Sequence, residues 1–292
     1  MFEQQYQKMA EAPGFVAALD QSGGSTPRTL QRYGVEAWVD EAEMFEKVHA
    51  MRSRIMASAS FDGDRILATI LFAHTVDRQV DGRPTPEYLW EAKRIVPILK
   101  VDKGLVEERD GAQLMKDIDR LDEVLADALA KGVFGTKMRS VVRAPGAGAE
   151  AAVAQQLYLG RRILAAGLVP ILEPEVDITS PHKAEAERHV HDLLAVGLDD
   201  LPEGERVMLK LTLPEHDDLY ADLVAHPRVL RVFALSGGYS RAEATERLAR
   251  QHGVVASFAR ALMEGLNINQ SDEEFDRVLD SSIAEIYAAS MA

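Results

Sequence analysis

One lysine stands where a charge is expensive. Lys210 lies inside the run Val207-Met208-Leu209-Lys210-Leu211-Thr212-Leu213, and an ammonium buried without partners costs several kcal/mol. Such a lysine is either an edge residue facing water or a functional group, and the functional reading is amine catalysis. An amine attacks a ketone only when neutral; a solvated lysine, with its pKa near 10.4, is neutral in roughly 0.04% of molecules at pH 7. Desolvation and a second cation both favour the neutral form. Lys137 is the expected second cation. The iminium that results draws electrons from the adjacent carbon–carbon bond, so an aldol bond can break without a metal. Proton transfers then need carboxylates, and Asp20, Glu173 and Glu175 are available.

These residues occupy one kind of position. Eight short apolar runs recur along the chain: Phe15–Leu19, Ile66–Phe72, Ile95–Val101, Val133–Met138, Leu168–Leu172, Val207–Leu213, Val229–Leu235 and Val254–Phe258. Nearly continuous apolar runs are the signature of parallel strands buried on both faces. Helix-period stretches lie between many of them. In Glu41–Ile55 the residues Met44, Phe45, Val48, Met51 and Ile55 follow spacings of three and four, and Leu114–Leu129 carries a similar stripe. A capping box, Ser271 with Glu274, opens a C-terminal helix through Phe275, Val278, Leu279, Ile283 and Ile286. Alternating strands and helices imply a parallel α/β sheet. Eight strands in this length favour closure into a (β/α)8 TIM barrel; the rival dinucleotide-binding fold lacks a G-x-G-x-x-G after the first strand. No linker divides residues 1–292, so a single domain is expected.

Catalytic groups of such barrels sit at the C-terminal ends of the strands. The first run ends in Asp20, the third reaches Lys100, the fourth carries Lys137 and Arg139, and the fifth ends in Glu173 and Glu175. Each of the last two pairs is two residues apart, which puts both members on one face of a regular strand. Ser236-Gly237-Gly238 follows the seventh run and Arg260 the eighth. Alone, Asp20 reads as a cap or turn former, Glu-Pro-Glu as a loop entry, and Ser-Gly-Gly as a plain turn. Together they place charge from several strands at one end of the barrel. The Gly-rich loop with Arg260 then reads as a phosphate site, since loops after strands seven and eight commonly hold one. Lys100 and Arg139 could hold a second phosphate. His189 and His191 diverge by about 200° on a helix and read as surface residues rather than metal ligands.

Composition excludes several function classes. The 292 residues contain no cysteine, which removes disulfides, Cys-ligated metal centres and a thiol nucleophile. The formal charge of −14 argues against nucleic-acid partners. No apolar run approaches the ~20 residues that cross a bilayer, and the start, MFEQQYQKMAEAP, lacks the apolar core of a signal peptide. A cytoplasmic location, with no membrane partner, is expected.

The chain resembles the class I fructose-1,6-bisphosphate aldolases, in their bacterial short form. The resemblance rests on eight segments in family order: residues 18–25 (ALDQSGGS), 81–84 (DGRP), 99–104 (LKVDKG), 135–140 (GTKMRS), 169–175 (VPILEPE), 209–214 (LKLTLP), 235–238 (LSGG) and 257–262 (SFARAL). It implies reversible cleavage of a phosphorylated ketose, fructose 1,6-bisphosphate, to dihydroxyacetone phosphate and glyceraldehyde 3-phosphate, with no metal or cofactor. Lys210 would form the Schiff base and Glu173 would serve carbinolamine dehydration. Asp20 would take the C4 hydroxyl proton, Lys137 would stabilise charge, and Glu175 would support the network. Ser236, Gly237, Gly238 and Arg260 would hold the C1 phosphate, with Lys100 and Arg139 toward C6. The animal enzymes carry two adjacent basic residues after strand one, whereas here Arg28 precedes Thr29, so only Arg28 carries over. Their mobile tail with its terminal Tyr has no counterpart, because Tyr287 falls inside the last predicted helix; Glu173 is the candidate to protonate the enamine. The alternatives are another Schiff-base barrel, such as a transaldolase or a single-phosphate ketose aldolase, or a non-catalytic scaffold barrel.

Overall fold

In the computed structural model, which describes all 292 residues, eight parallel strands form a closed ring. They are β1 (Phe15–Leu19), β2 (Ile66–Leu71), β3 (Val96–Lys100), β4 (Gly135–Val142), β5 (Val169–Val176), β6 (Val207–Thr212), β7 (Val229–Leu235) and β8 (Val254–Phe258). Each pairs with its successor, and β8 returns to β1 with Val16 opposite Ser257. Helices lie between the strands, as the alternation of patterns requires.

The strands are apolar on both faces because each face has its own core. Phe15, Ala17 and Leu19 belong to the large outer cluster that joins sheet to helices. Val16, Ala18, Val96, Ile98, Val169, Ile171, Met208, Phe233 and Val255 form a smaller cluster that fills the barrel. The first helix, Phe2–Glu11, adds Met9 to that inner cluster, and Arg231 ties it down by donating to the carbonyls of Met9 and Ala12, both at 2.9 Å. Period-two alternation then decides what comes next on each inward face. After Val16 and Ala18 comes Asp20; after Val96 and Ile98, Lys100; after Val169 and Ile171, Glu173 and Glu175; after Met208, Lys210. The apolar floor thus becomes a charged mouth within one or two residues on several strands. On β4 the floor position is Gly135, where an added Cβ would sit 2.2 Å from the Val169 carbonyl oxygen.

Three elements differ from the sequence expectation. The helix expected over Leu114–Leu129 begins only at Leu121 and runs to Ala130. Residues 105–116 instead fold back on themselves, and Ala112–Gln113 pairs antiparallel with Val141–Val142 at the end of β4. Arg120, with φ +56, turns the chain into the helix. Strands β4 and β5 also extend past their apolar runs, because their polar residues stay in register: Arg139 lies opposite Glu173. The C-terminal helix, Asp272–Ser290, starts with the expected reciprocal cap and buries Phe275, Leu279, Ile283 and Ile286. Ser290 accepts the amide of Ala256 at 3.0 Å, which fixes the helix end to β8.

Candidate active site

A cavity of about 530 Å³ opens at the C-terminal ends of the strands. Its wall includes Asp20, Arg28, Lys100, Lys137, Arg139, Glu173, Glu175, Lys210, Ser236, Gly237 and Arg260. Gly238 faces an adjoining cavity of about 370 Å³ that shares Thr29, Arg32 and Arg260 with the first. The residues selected from strand ends therefore converge, with Gly238 one step to the side.

At the base of the cavity four buried charges alternate in sign. Asp20 Oδ2 lies 2.7 Å from Lys137 Nζ, Lys137 Nζ lies 2.8 Å from Glu173 Oε2, and Glu173 Oε1 lies 3.0 Å from Lys210 Nζ. All four residues are under 10% exposed. Burial by itself would push the Asp20 carboxyl up; Lys137 and Lys210 outweigh it and hold Asp20 well below the usual carboxylate range. The same two lysines overcome the burial of Glu173 and lower it, against opposition from Asp20. Burial disfavours the Lys137 ammonium, yet Asp20 and Glu173 raise it above an ordinary lysine. The surroundings of Lys210 are thus not simply cationic, as expected from sequence. A carboxylate touches it, and Lys137 reaches it through that carboxylate. The arrangement gives the amine a proton acceptor in direct contact, with Lys137 as the charge that keeps both acids ionised.

Packing explains why these groups hold position. Gln156, fully buried on the helix Ala147–Ala165, donates to the Met138 carbonyl at 3.2 Å and to Ser140 Oγ at 3.1 Å. Its Oε1 accepts the amide of Glu173 at 3.3 Å, clamping β4 to β5 beside the acid. Thr212 Oγ1 bridges the amide and carbonyl of Val176, both at 2.8 Å, and so joins the ends of β5 and β6.

The upper wall is cationic. Lys100 is paired with Asp102 at 2.6 Å, and Arg139 with Glu175. Both therefore reach the cavity already paired with a carboxylate. Burial lowers the Lys100 ammonium in spite of Asp102. Arg28, Arg32 and Arg260 have no carboxylate within ion-pairing distance. The cavity holds seven cationic side chains against four carboxylates, a surplus of three, which equals the number of unpaired guanidiniums. Burial, and then Arg32, lower the Arg260 guanidinium. Beside it, Gly237 and Gly238 take φ of +59° and +139°, so that the amides of Gly238 and Tyr239 turn back to the Ser236 carbonyl at 2.6 and 2.9 Å. Those two amides are used within the turn, so the group beside it with no protein acceptor is the Arg260 guanidinium.

Asp102 and Arg32 were not selected from sequence. Each had a signal: Asp102 lies two residues beyond Lys100 on the same strand parity, and Arg32 lies four beyond Arg28 on the helix Ser25–Arg32. His189 and His191 lie far from this cluster in their contacts; His191 meets Asp222 at 2.8 Å and His189 approaches Glu150 at 3.8 Å.

A paired lysine–glutamate chain inside a barrel, below a cationic rim, has the groups that Schiff-base aldol chemistry requires: an amine, a proton acceptor in contact with it and a second carboxylate. The family model described as "Glycolytic: Fructose-bisphosphate aldolase class-I" matches residues 3–214. The chain belongs to the class I fructose-bisphosphate aldolases. It is 58% identical over 292 residues to "Fructose-bisphosphate aldolase class 1" of Synechocystis sp., covering 99% of this chain and 97% of that one. It is 50% and 49% identical to the proteins of the same name from Porphyromonas gingivalis and Clostridium acetobutylicum, over the whole of each chain. Among solved structures it resembles fructose-bisphosphate aldolase of Plasmodium falciparum, there in complex with TRAP and an inhibitor. That match has a TM-score of 0.79 at 22% identity and covers 99% of this chain and 93% of the other; it speaks to the barrel fold. As in an aldolase of class I, cleavage of the bisphosphate ketose proceeds through a Schiff base, and no helix of this chain is long and apolar enough to cross a membrane.

Proposed function

We propose that Lys210 is the Schiff-base amine of this aldolase, served by Glu173 and Asp20. The single observation that carries the assignment is the buried chain Lys210–Glu173–Lys137–Asp20, with contacts of 3.0, 2.8 and 2.7 Å. Glu173 takes a proton from the Lys210 ammonium, and the freed amine attacks the C2 ketone of fructose 1,6-bisphosphate. The carbinolamine hydroxyl leaves as water with a proton from Glu173, giving the iminium. Asp20 accepts the C4 hydroxyl proton as the C3–C4 bond breaks, and the electron pair moves to the iminium nitrogen as an enamine. Glyceraldehyde 3-phosphate departs; Lys137 gives a proton to Glu173 and takes the one held by Asp20, Glu173 then protonates the enamine, and hydrolysis releases dihydroxyacetone phosphate with Lys210 again an ammonium and both carboxylates ionised. Glu175 keeps Arg139 in place.

Ser236, Gly237, Gly238 and Arg260 hold the C1 phosphate, and Arg28, Lys100 and Arg139 lie toward the C6 phosphate. Two phosphate monoesters bring about −3 to −4, which the three unpaired guanidiniums match better than they match one phosphate. This favours a bisphosphate over a monophosphate ketose. The chain works as one domain in the cytoplasm, without nucleic-acid or membrane partners.

Borohydride reduction with dihydroxyacetone phosphate, followed by peptide mass mapping, tests the assignment. A covalent adduct on Lys210 is expected. An unmodified Lys210 in an active enzyme overturns it, as does turnover by Lys210→Met.

A further inference from the structure

Behind the cavity lies a guanidinium that the mechanism above does not use. Arg52, on the helix Glu41–Ala57, is completely buried. No carboxylate lies within ion-pairing distance of it. Its Nη2 donates to the carbonyl of Gln21 at 2.6 Å, its Nη1 donates to Thr75 Oγ1 at 2.8 Å, and its Nε has no acceptor. A desolvated charge held by one carbonyl and one hydroxyl is costly, and a well-packed apolar residue would stabilise the fold more. Two features give it a purpose. Gln21 immediately follows Asp20, and Thr75 lies just past β2, so Arg52 ties together the exits of β1 and β2. Asp20 is also the charged group that acts on it: burial pushes Arg52 down to about 10, and Asp20 pulls it back up.

We infer that Arg52 is a positioning residue for the carbon–carbon cleavage step. By fixing the Gln21 carbonyl it sets the direction in which the preceding Asp20 presents its carboxylate, and its charge stands behind that carboxylate without meeting substrate. This rests on the reading of Asp20 as the C4 base. Schiff-base formation at Lys210 uses Glu173 and does not pass through Arg52, so the two half-processes separate.

The experiment compares Asp20→Asn, Arg52→Met and Arg52→Lys in two assays: borohydride trapping of dihydroxyacetone phosphate on Lys210, and cleavage of fructose 1,6-bisphosphate. A misplacement near 1 Å costs up to about 100-fold in rate. Arg52→Met is therefore expected to lower kcat for cleavage about 10- to 100-fold, with KM changed less than about threefold and trapping unchanged. Arg52→Lys keeps the charge but not the forked geometry, and should fall between Arg52→Met and the parent enzyme. Should Arg52→Met fail to fold, Arg52→Lys decides, and cleavage at the parent rate overturns the inference. Equal losses in trapping and cleavage, or no loss in either, also overturn it. Asp20→Asn is the control: trapping retained with cleavage lost upholds the base assignment, and any other pattern removes that assignment independently of Arg52.

Discussion

Replacing Lys137 with methionine should unbalance the buried cluster by one charge, and the cost follows from the geometry. Lys137 contacts Asp20 at 2.7 Å and Glu173 at 2.8 Å, and all three are buried. Without it, two carboxylates share the single charge of Lys210. Breaking a buried pair by deleting one partner costs about 3–5 kcal/mol. The protein can escape by protonating Asp20, and from an ordinary carboxylate pKa of 3.9 that costs about 4 kcal/mol at pH 7. The two routes agree, so about 4 kcal/mol is expected. Unfolding entropy near 2.1 cal/mol/K per residue gives about 0.6 kcal/mol/K for a chain of this length, hence a Tm lower by about 6–7 °C. Cleavage should fall with the ionised fraction of Asp20, and what activity remains should rise with pH. Calorimetry on Lys137→Met, Asp20→Asn and the double variant completes the cycle. Removing both partners restores neutrality to the remaining Glu173–Lys210 pair, so the double variant should recover more than half of the lost Tm. A Lys137→Met protein melting within a degree of the parent would refute the charge argument. So would a double variant whose losses simply add.

Other expectations follow from the same structure. Because Asp20 and Glu173 are held low in the folded chain, their contribution to stability is complete above about pH 4 and is lost as pH falls below it. Lys137 is held high, so its contribution is complete below about pH 10.5 and is lost on further rise. The Tm gap between the parent and Asp20→Asn should therefore narrow below pH 4, and a constant gap would contradict the shift. Arg260→Ala removes a guanidinium with no protein partner and should raise KM for the bisphosphate about 10- to 100-fold, the worth of a charged hydrogen bond; steady-state kinetics with an unchanged KM would remove it from the phosphate site. Ser271→Ala deletes one half of the capping box and should cost about 1 kcal/mol, near 2 °C in Tm, with kinetics unchanged.

The barrel was legible because its strands are buried twice. Phe15–Leu19, Val229–Leu235 and Val254–Phe258 match their apolar runs end to end, since both faces are covered; Arg231 alone brings a charge into them, and it donates to the carbonyls of Met9 and Ala12. The charged residues of the mouth were legible for the same reason, as interruptions of those runs. What periodicity could not carry was pairing. The partners of Lys100 and Arg139 could not be read, because Asp102 lies past the end of its run and the Arg139–Glu175 contact crosses between strands. Leu114–Leu129 read as one helix because its apolar spacing suits either state, and the pairing of Ala112–Gln113 with β4 is a non-local decision. Arg52 did leave a trace. It falls on the stripe Val48, Met51, Arg52, Ile55, where a charge faces the core, and that conflict with the pattern marks a functional demand.

The charge of the whole chain and the charge of its cavity point in opposite directions. At −14 the protein repels a phosphorylated sugar at long range, yet the cavity carries a surplus of three positive charges. At physiological ionic strength the Debye length is about 8 Å, so distant surface acids are screened and the cavity's own field governs capture. Inside, the same surplus must not leak into the Schiff-base cluster, where an excess of cations would leave Lys210 without its acceptor. The structure separates the two regions by pairing. Every cation at the base touches a carboxylate, and the guanidiniums without one belong to Arg28, Arg32 and Arg260 at the rim. A single barrel mouth thereby keeps unpaired charge at its rim and only paired charge around Lys210.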